Sequence, residues 1–112
     1  MKRGQIWWVE LPEPTASEPG YRRPVIVVQS DAFNRIRINT VVAVAVTSNL
    51  KLAEAPGNVR LSARQSGLKK ESVANVSQII TLDKRFLAEM VSQLDPKTMS
   101  RIDDGMRLAL AL

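Results

Sequence analysis

The chain has no cysteine and no histidine among its 112 residues. The first absence excludes disulfides and thiolate metal sites. The second removes the commonest metal ligand and the usual general base near neutral pH. No long apolar run follows Met1-Lys2-Arg3, so neither a secretion signal nor a membrane span is expected, and a cytoplasmic location follows as an expectation. Acidic charge is also in short supply: 11 Asp and Glu stand against 16 Lys and Arg, giving a net charge of +5 and a pI near 10.1. That balance favours polyanions, although many small basic proteins carry such charge only for solubility. Any catalysis must therefore be built from Arg, Lys, Glu, Asp, Ser, Thr or Tyr.

What is present fits one ordinary domain, 45% apolar and 24% charged, with no repeat or low-complexity tract. Gln5 to Leu11, rich in aromatic and β-branched residues, reads as a first strand. Residues 12–22, with Pro12, Pro14, Pro19 and Gly20, read as a loop. Arg23 to Gln29 is a second strand whose unbroken apolar run predicts burial on both faces. Ser30-Asp31 is positioned to cap a short helical turn over Ala32 to Arg35. A third strand spans Val41 to Val46, residues 50–57 read as a loop, and Asn58 to Ser62 as a strand with one wet face. Ser72 to Val76 and a short piece around Ile79 to Thr81 complete the sheet. Asp95-Pro96 is a helix start, followed by an apolar face of Met99, Ile102, Met106, Leu108, Ala109 and Leu110. The terminal leucines are expected to seal the barrel or a dimer contact. The fold class is mostly β: a small barrel with a C-terminal helix.

Sequential antiparallel strands place the start of the second beside the end of the third. Arg23 opens the second and Thr47-Ser48 close the third, while the 12–22 loop, carrying Glu18, hangs from the same end. Pro24 also forces Arg23 into extended backbone. These polar groups therefore converge on one rim. On physical grounds alone a rim ion pair of Arg23 with Glu18, and Thr47 as a mere strand end, is the preferred reading.

Five segments in order resemble the MazF/PemK family of toxin endoribonucleases. They are Arg3-Gly4-Gln5-Ile6-Trp7-Trp8-Val9, then Ser17-Glu18 with Arg22-Arg23-Pro24-Val25-Ile26-Val27-Val28, and Val44-Ala45-Val46-Thr47-Ser48-Asn49. Gly67-Leu68-Lys69-Lys70-Glu71-Ser72-Val73 and Gln78-Ile79-Ile80-Thr81-Leu82-Asp83-Lys84 follow, so the likeness covers nearly the whole chain. It implies an SH3-like barrel and a sequence-selective endoribonuclease acting on single-stranded RNA, with no cofactor and no metal. It also implies a homodimer and a cognate antitoxin that lays an acidic, partly disordered segment in the RNA groove. The resemblance reverses the preference at the rim, because Arg23 and Thr47 fall on the family's active-site arginine and threonine, and Glu18 on its loop glutamate. Glu18 then orients Arg23 or accepts a proton.

The chain departs from the PemK branch, which is associated with an arginine and an aspartate just before the glutamine matching Gln78; here Asn75, Val76 and Ser77 stand there. Ile80 stands where many relatives have arginine. Expected substrate contacts are Ser48 and Tyr21, with Asn34 and Arg35 as backbone contacts beside Arg37, Phe33 as a base-stacking side chain, and Ser77 and Gln78 at base edges. Trp7 and Trp8 must face opposite sides of their strand, one in the core and the other at a subunit contact. Two rival functions remain open: a non-catalytic nucleic-acid binder, and a toxin of the same fold that acts on a protein such as DNA gyrase.

Overall fold

In a computed structural model, residues 1–12 and 22–112 are described. Strands β1 (Gln5–Glu10), β2 (Arg22–Val27), β3 (Thr40–Thr47), β4 (Val59–Leu61), β5 (Ser72–Asp83) and β6 (Leu87–Gln93) form one antiparallel sheet in the order β4-β5-β3-β2-β1-β6. The sheet curls into a half-barrel. Helix α1 (Asp31–Asn34) follows β2, α2 (Ala63–Ser66) joins β4 to β5, and α3 (Pro96–Leu110) closes the chain. Helix α2 touches both edge strands, β4 and β6, so it bridges the seam that the curl leaves open. No described helix is long and apolar enough to cross a membrane.

Val25, Ile26 and Val27 are all fully buried, so β2 is covered on both faces as its apolar run predicts. Alternation along the strands then splits the core in two. Ile6, Ile26, Val44, Val46 and Leu61 gather on one side with Met99 and Ile102 of α3. Val9, Val25, Val27, Val41, Ala43 and Leu82 gather on the other, with Trp7 and Ile80 packed against them. Trp8 packs on the first cluster, so the two tryptophans do face opposite ways, but both are only half-buried, and neither is the core residue expected of one of them.

Several expectations need correction. The two pieces around residues 72–81 are a single strand, β5, with an irregular register opposite Val44 and Ala45. Residues 50–57 are not plain loop: a 3₁₀ turn spans Leu50–Glu54, capped by Asn49, whose side chain accepts from Lys51 N. Helix α2 carries a full capping box between Ser62 and Gln65 and ends on Gly67 at φ +75°, a signal present in the sequence. Strand β6 was not expected at all. Helix α3 begins at Asp95-Pro96 as expected, but it buries Thr98, Met99, Ile102 and Gly105. Leu108 and Leu110 are more than half exposed, so within this chain they do not seal the barrel. A Cβ on Gly105 would overlap the carbonyl oxygen of Gly57, so the glycine is what lets α3 sit directly on the turn before β4.

Candidate active site

The register of β2 on β3 pairs Val25 with Ala45 and Val27 with Ala43, so the same ladder, extended two residues, brings Arg23 opposite Thr47. That is the Arg23–Thr47 part of the rim convergence expected from the sequence. A cleft of about 900 Å³ opens there, lined by Arg22, Arg23, Thr47 and Ser48 from one side. Lys69, Lys70 and Ser72 line it from the α2–β5 turn, and Trp8, Glu89, Met90 and Val91 from β1 and β6. The curl of the sheet is what makes these distant segments face one another.

The two adjacent arginines have opposite environments. Arg22 is paired: Nη1 donates to Glu10 at 2.9 Å, Nη2 donates to Glu89 at 3.2 Å, and the guanidinium lies 5.0 Å from the Trp8 ring centroid. It ties β2 to β1 and β6 and forms one flank of the cleft. Arg23 instead has a buried Nε–H with no partner, the single buried side-chain nitrogen or oxygen in that condition among the described residues. An unpaired buried donor costs about 1–3 kcal/mol, so its retention beside a cleft points to a ligand that completes it. The complementary ligand for a guanidinium is a planar or tetrahedral oxyanion. Thr47 adds a hydroxyl whose oxygen already accepts from Asn49 N at 3.1 Å, which leaves its own proton to donate. Ser48, next in the chain, is exposed in the same cleft.

Not every expected residue arrives here. Glu18 and Tyr21 lie outside the described residues. Asn34 and Arg35 sit in and just after α1, beyond the far end of β2 from Arg23. Asn34 is committed internally: its Nδ2 donates to Gln29 O at 3.0 Å and Asp31 Oδ1 at 2.9 Å, and its Oδ1 accepts from Gln29 Nε2 at 3.0 Å. It holds the turn and has little left to offer a substrate. Phe33 is 56% exposed, but at that same far end, as is Arg35. Ser77 lies in the irregular stretch of β5, outside the cleft, and its hydroxyl donates to Asn75 Oδ1 at 2.7 Å. Gln78 beside it is half-buried and also engaged.

Lys69 and Lys70 are cationic cleft residues that the sequence does not by itself assign to the site. The signal was there, two consecutive lysines after the α2 cap, but it is the pairing of β5 with β3 that brings them into one cleft with Arg23. No group of three or more Asp and Glu side chains gathers as a metal site among the described residues.

Comparison with known proteins fits this architecture. A family model described as PemK-like, MazF-like toxin of type II toxin-antitoxin system matches residues 2–110. The chain is 43% identical over 112 residues to the endoribonuclease MazF6 of Mycobacterium tuberculosis, covering all of this chain and 98% of that protein. It is 35% identical over the same length to the endoribonuclease EndoA of Bacillus subtilis, covering 96% of it. Among solved structures, a mycobacterial endoribonuclease in complex with its cognate antitoxin superposes with a TM-score of 0.76 at 27% identity, over 100% of this chain and 94% of that one. MazF from Deinococcus radiodurans shares the fold at a TM-score of 0.82 and 23% identity, over 100% and 97%. With a curled sheet, a C-terminal helix and full-length sequence identity all in agreement, the chain belongs to the PemK/MazF family of type II toxin–antitoxin toxins.

Proposed function

We propose that this chain, a MazF-like toxin endoribonuclease by family, cuts single-stranded RNA by using the substrate's own 2′-hydroxyl, with Arg23 and Thr47 at the scissile phosphate. The observation that carries the reading is the buried, unpartnered Nε of Arg23 at the cleft, across the β2–β3 ladder from Thr47. In the reaction the 2′-oxygen attacks the adjacent phosphorus, a P–O2′ bond forms and the P–O5′ bond breaks. The 2′ proton leaves to a base and the departing 5′-oxygen gains one, giving a 2′,3′-cyclic phosphate and a 5′-hydroxyl. Water then opens the cycle to a 3′-phosphate.

Charge accumulates on the non-bridging oxygens in the transition state, and there a fixed guanidinium and a hydroxyl donor act most strongly. Arg23 serves first as an electrostatic stabiliser, because a guanidinium offers five N–H donors and no acceptor and does not give up its proton to act as a base. Glu18 orients it or accepts the 2′ proton. Ser48 contacts the substrate from the cleft, and Tyr21 is assigned a substrate contact by the family resemblance. The chain lacks the histidine and cysteine that nucleases of other designs use, and it carries no paired-carboxylate motif to activate a metal-bound water.

The toxin–antitoxin family and the antitoxin bound to the mycobacterial relative support an antitoxin partner for this chain, and the basic cleft suits an acidic antitoxin segment as well as RNA. The exposed Leu108 and Leu110 support a homodimer, and an RNA target is consistent with action in the cytoplasm. Incubation of purified protein with a defined RNA, with and without EDTA, tests the chemistry. Cleavage should persist in EDTA and leave the cyclic phosphate. A single 2′-deoxy nucleotide 5′ to the cut should block cleavage while preserving binding. Cutting of that substituted RNA at the normal rate would refute the mechanism. RNA that is bound but never shortened would favour the non-catalytic binder, and intact RNA with failing DNA supercoiling the gyrase-directed toxin.

A further inference from the structure

We propose that Lys69 and Lys70 form a second phosphate seat in the cleft, taking a backbone phosphate that flanks the scissile one held at Arg23. The inference rests on the reading above that the cleft takes RNA. It starts from which charges around the cleft are already paired. Glu89, the carboxylate that lines it, is bound to Arg22, as is Glu10 beside it. Glu71, the carboxylate next to the lysines, is turned to Arg60 on β4 at 3.3 Å. Lys69, Lys70 and Arg23 are three cations around one cleft with no ion-pair partner among the described residues. Like charges gathered without partners repel one another, and an anion that threads between them relieves the repulsion.

The lysines are also presented from a rigid turn. Buried Ser66 accepts from Leu68 N at 3.1 Å, its carbonyl oxygen accepts the Ser92 hydroxyl of β6, and Gly67 turns at φ +75° against Val91 and Ser92. Leu68 is buried, and Ser72 Oγ donates to Lys70 O at 3.1 Å, which fixes the chain on both sides of the pair. Ser72 opens β5, and Val73 pairs with Thr47 on β3, so the basic row crosses three neighbouring strand ends: Arg23, Thr47, then the lysine turn. Adjacent strands lie about 4.8 Å apart, so the row is wide enough to follow a backbone with repeating charge rather than one isolated anion. Two point charges without a planar fork hold a phosphate but read no base, so the seat adds affinity and leaves sequence choice to other groups.

The test is a KM-against-kcat split on Lys69→Gln, Lys70→Gln and the double variant, with Lys97→Gln on α3 as a charge-matched control. Binding is read by anisotropy on an oligoribonucleotide blocked by one 2′-deoxy sugar at the cut, across a salt series. The double variant should raise KM several-fold with kcat nearly unchanged and make the salt dependence shallower by about 1 in log–log slope. The KM penalty should vanish on a dinucleotide, which has no flanking phosphate. An unchanged slope and KM in a folded double variant, with wild-type protein cutting normally, would overturn the second seat alone. The same result with weakened binding of a glutamate-rich peptide would also overturn it and assign the lysines to an acidic protein partner. Wild-type protein that neither binds nor cuts RNA would overturn the underlying reading instead.

Discussion

The two ends of β2 are built from similar residue types and treat them in opposite ways. At the far end, around α1, the polar groups are closed upon one another. Asp31 accepts from Arg3 N at 2.8 Å and from Asn34 Nδ2, and Ser30 caps Ala32 N. Arg3 donates from Nε to Val28 O at 2.8 Å and grips Asp103 of α3 through both Nη atoms, at 2.6 and 3.3 Å. That cluster ties the N-terminus, the β2 exit and α3 together. At the near end Arg22 is closed in the same way, but Arg23, Lys69 and Lys70 are not. The comparison teaches that polar density alone does not mark a site: satisfied groups stabilise the fold, and groups left unsatisfied at a cleft are kept for a ligand.

The contrast breaks most sharply at Arg23. Arg23→Ala should lower the RNA cleavage rate by on the order of 10²-fold or more, as loss of a buried oxyanion donor does. It should leave the fold intact, because it removes an unpaired donor and the buried run begins at Val25. Single-turnover rates alongside circular dichroism check both halves. A folded variant that cuts at the wild-type rate would mean that the orphan Nε is not the oxyanion donor. Thr47→Ala should slow the same step by a smaller factor, since one neutral donor is lost.

At the far end the effects should reverse. Asp103→Ala deprives Arg3 of its carboxylate partner and should cost about 1.5–3 kcal/mol of stability, read from urea midpoints. Cleavage per folded molecule should not change. Asn34→Ala should cost about 1 kcal/mol by opening the turn that its amide closes, and should not weaken RNA binding. A binding defect in a folded Asn34→Ala protein would restore that residue to the substrate surface.

Much of this was legible in the sequence because it is local. The apolar runs of β2 and β3, the Ser30 cap of α1 and the Asp95-Pro96 start of α3 are each fixed by near neighbours. The meeting of Arg23 with Thr47 needed only antiparallel pairing of successive strands. Strand β6 was illegible because Leu87–Gln93 is an edge strand with no clean alternation, held by its pairing with β1. The role of Lys69 and Lys70 was hidden for a related reason: nothing nearby in sequence reveals that the curl turns them towards β6. The internal bonds of Asn34 were hidden too, since the sequence does not show that Gln29 and Asp31 already occupy its amide.

Acid should separate the closed cluster from the open cleft more gently. The backbone N–H of Arg3, and then the Asn34 amide, hold the Asp31 carboxyl below its usual value of 3.8. The backbone N–H of Thr98, and then its side chain, do the same for Asp95 at the α3 cap. A carboxyl depressed in the folded state adds stability that is full above its unfolded pKa and lost as pH falls through the folded one. Wild-type stability should therefore be level from neutrality down to about pH 5 and then decline. Asn accepts the same hydrogen bonds at a cap but does not titrate. Asp31→Asn and Asp95→Asn should thus stay close to wild type at pH 7 and show a shallower acid limb, with the double variant shallowest. Denaturant midpoints taken at intervals of pH measure this directly. An acid limb unchanged in the double variant would place the acid sensitivity elsewhere in the molecule.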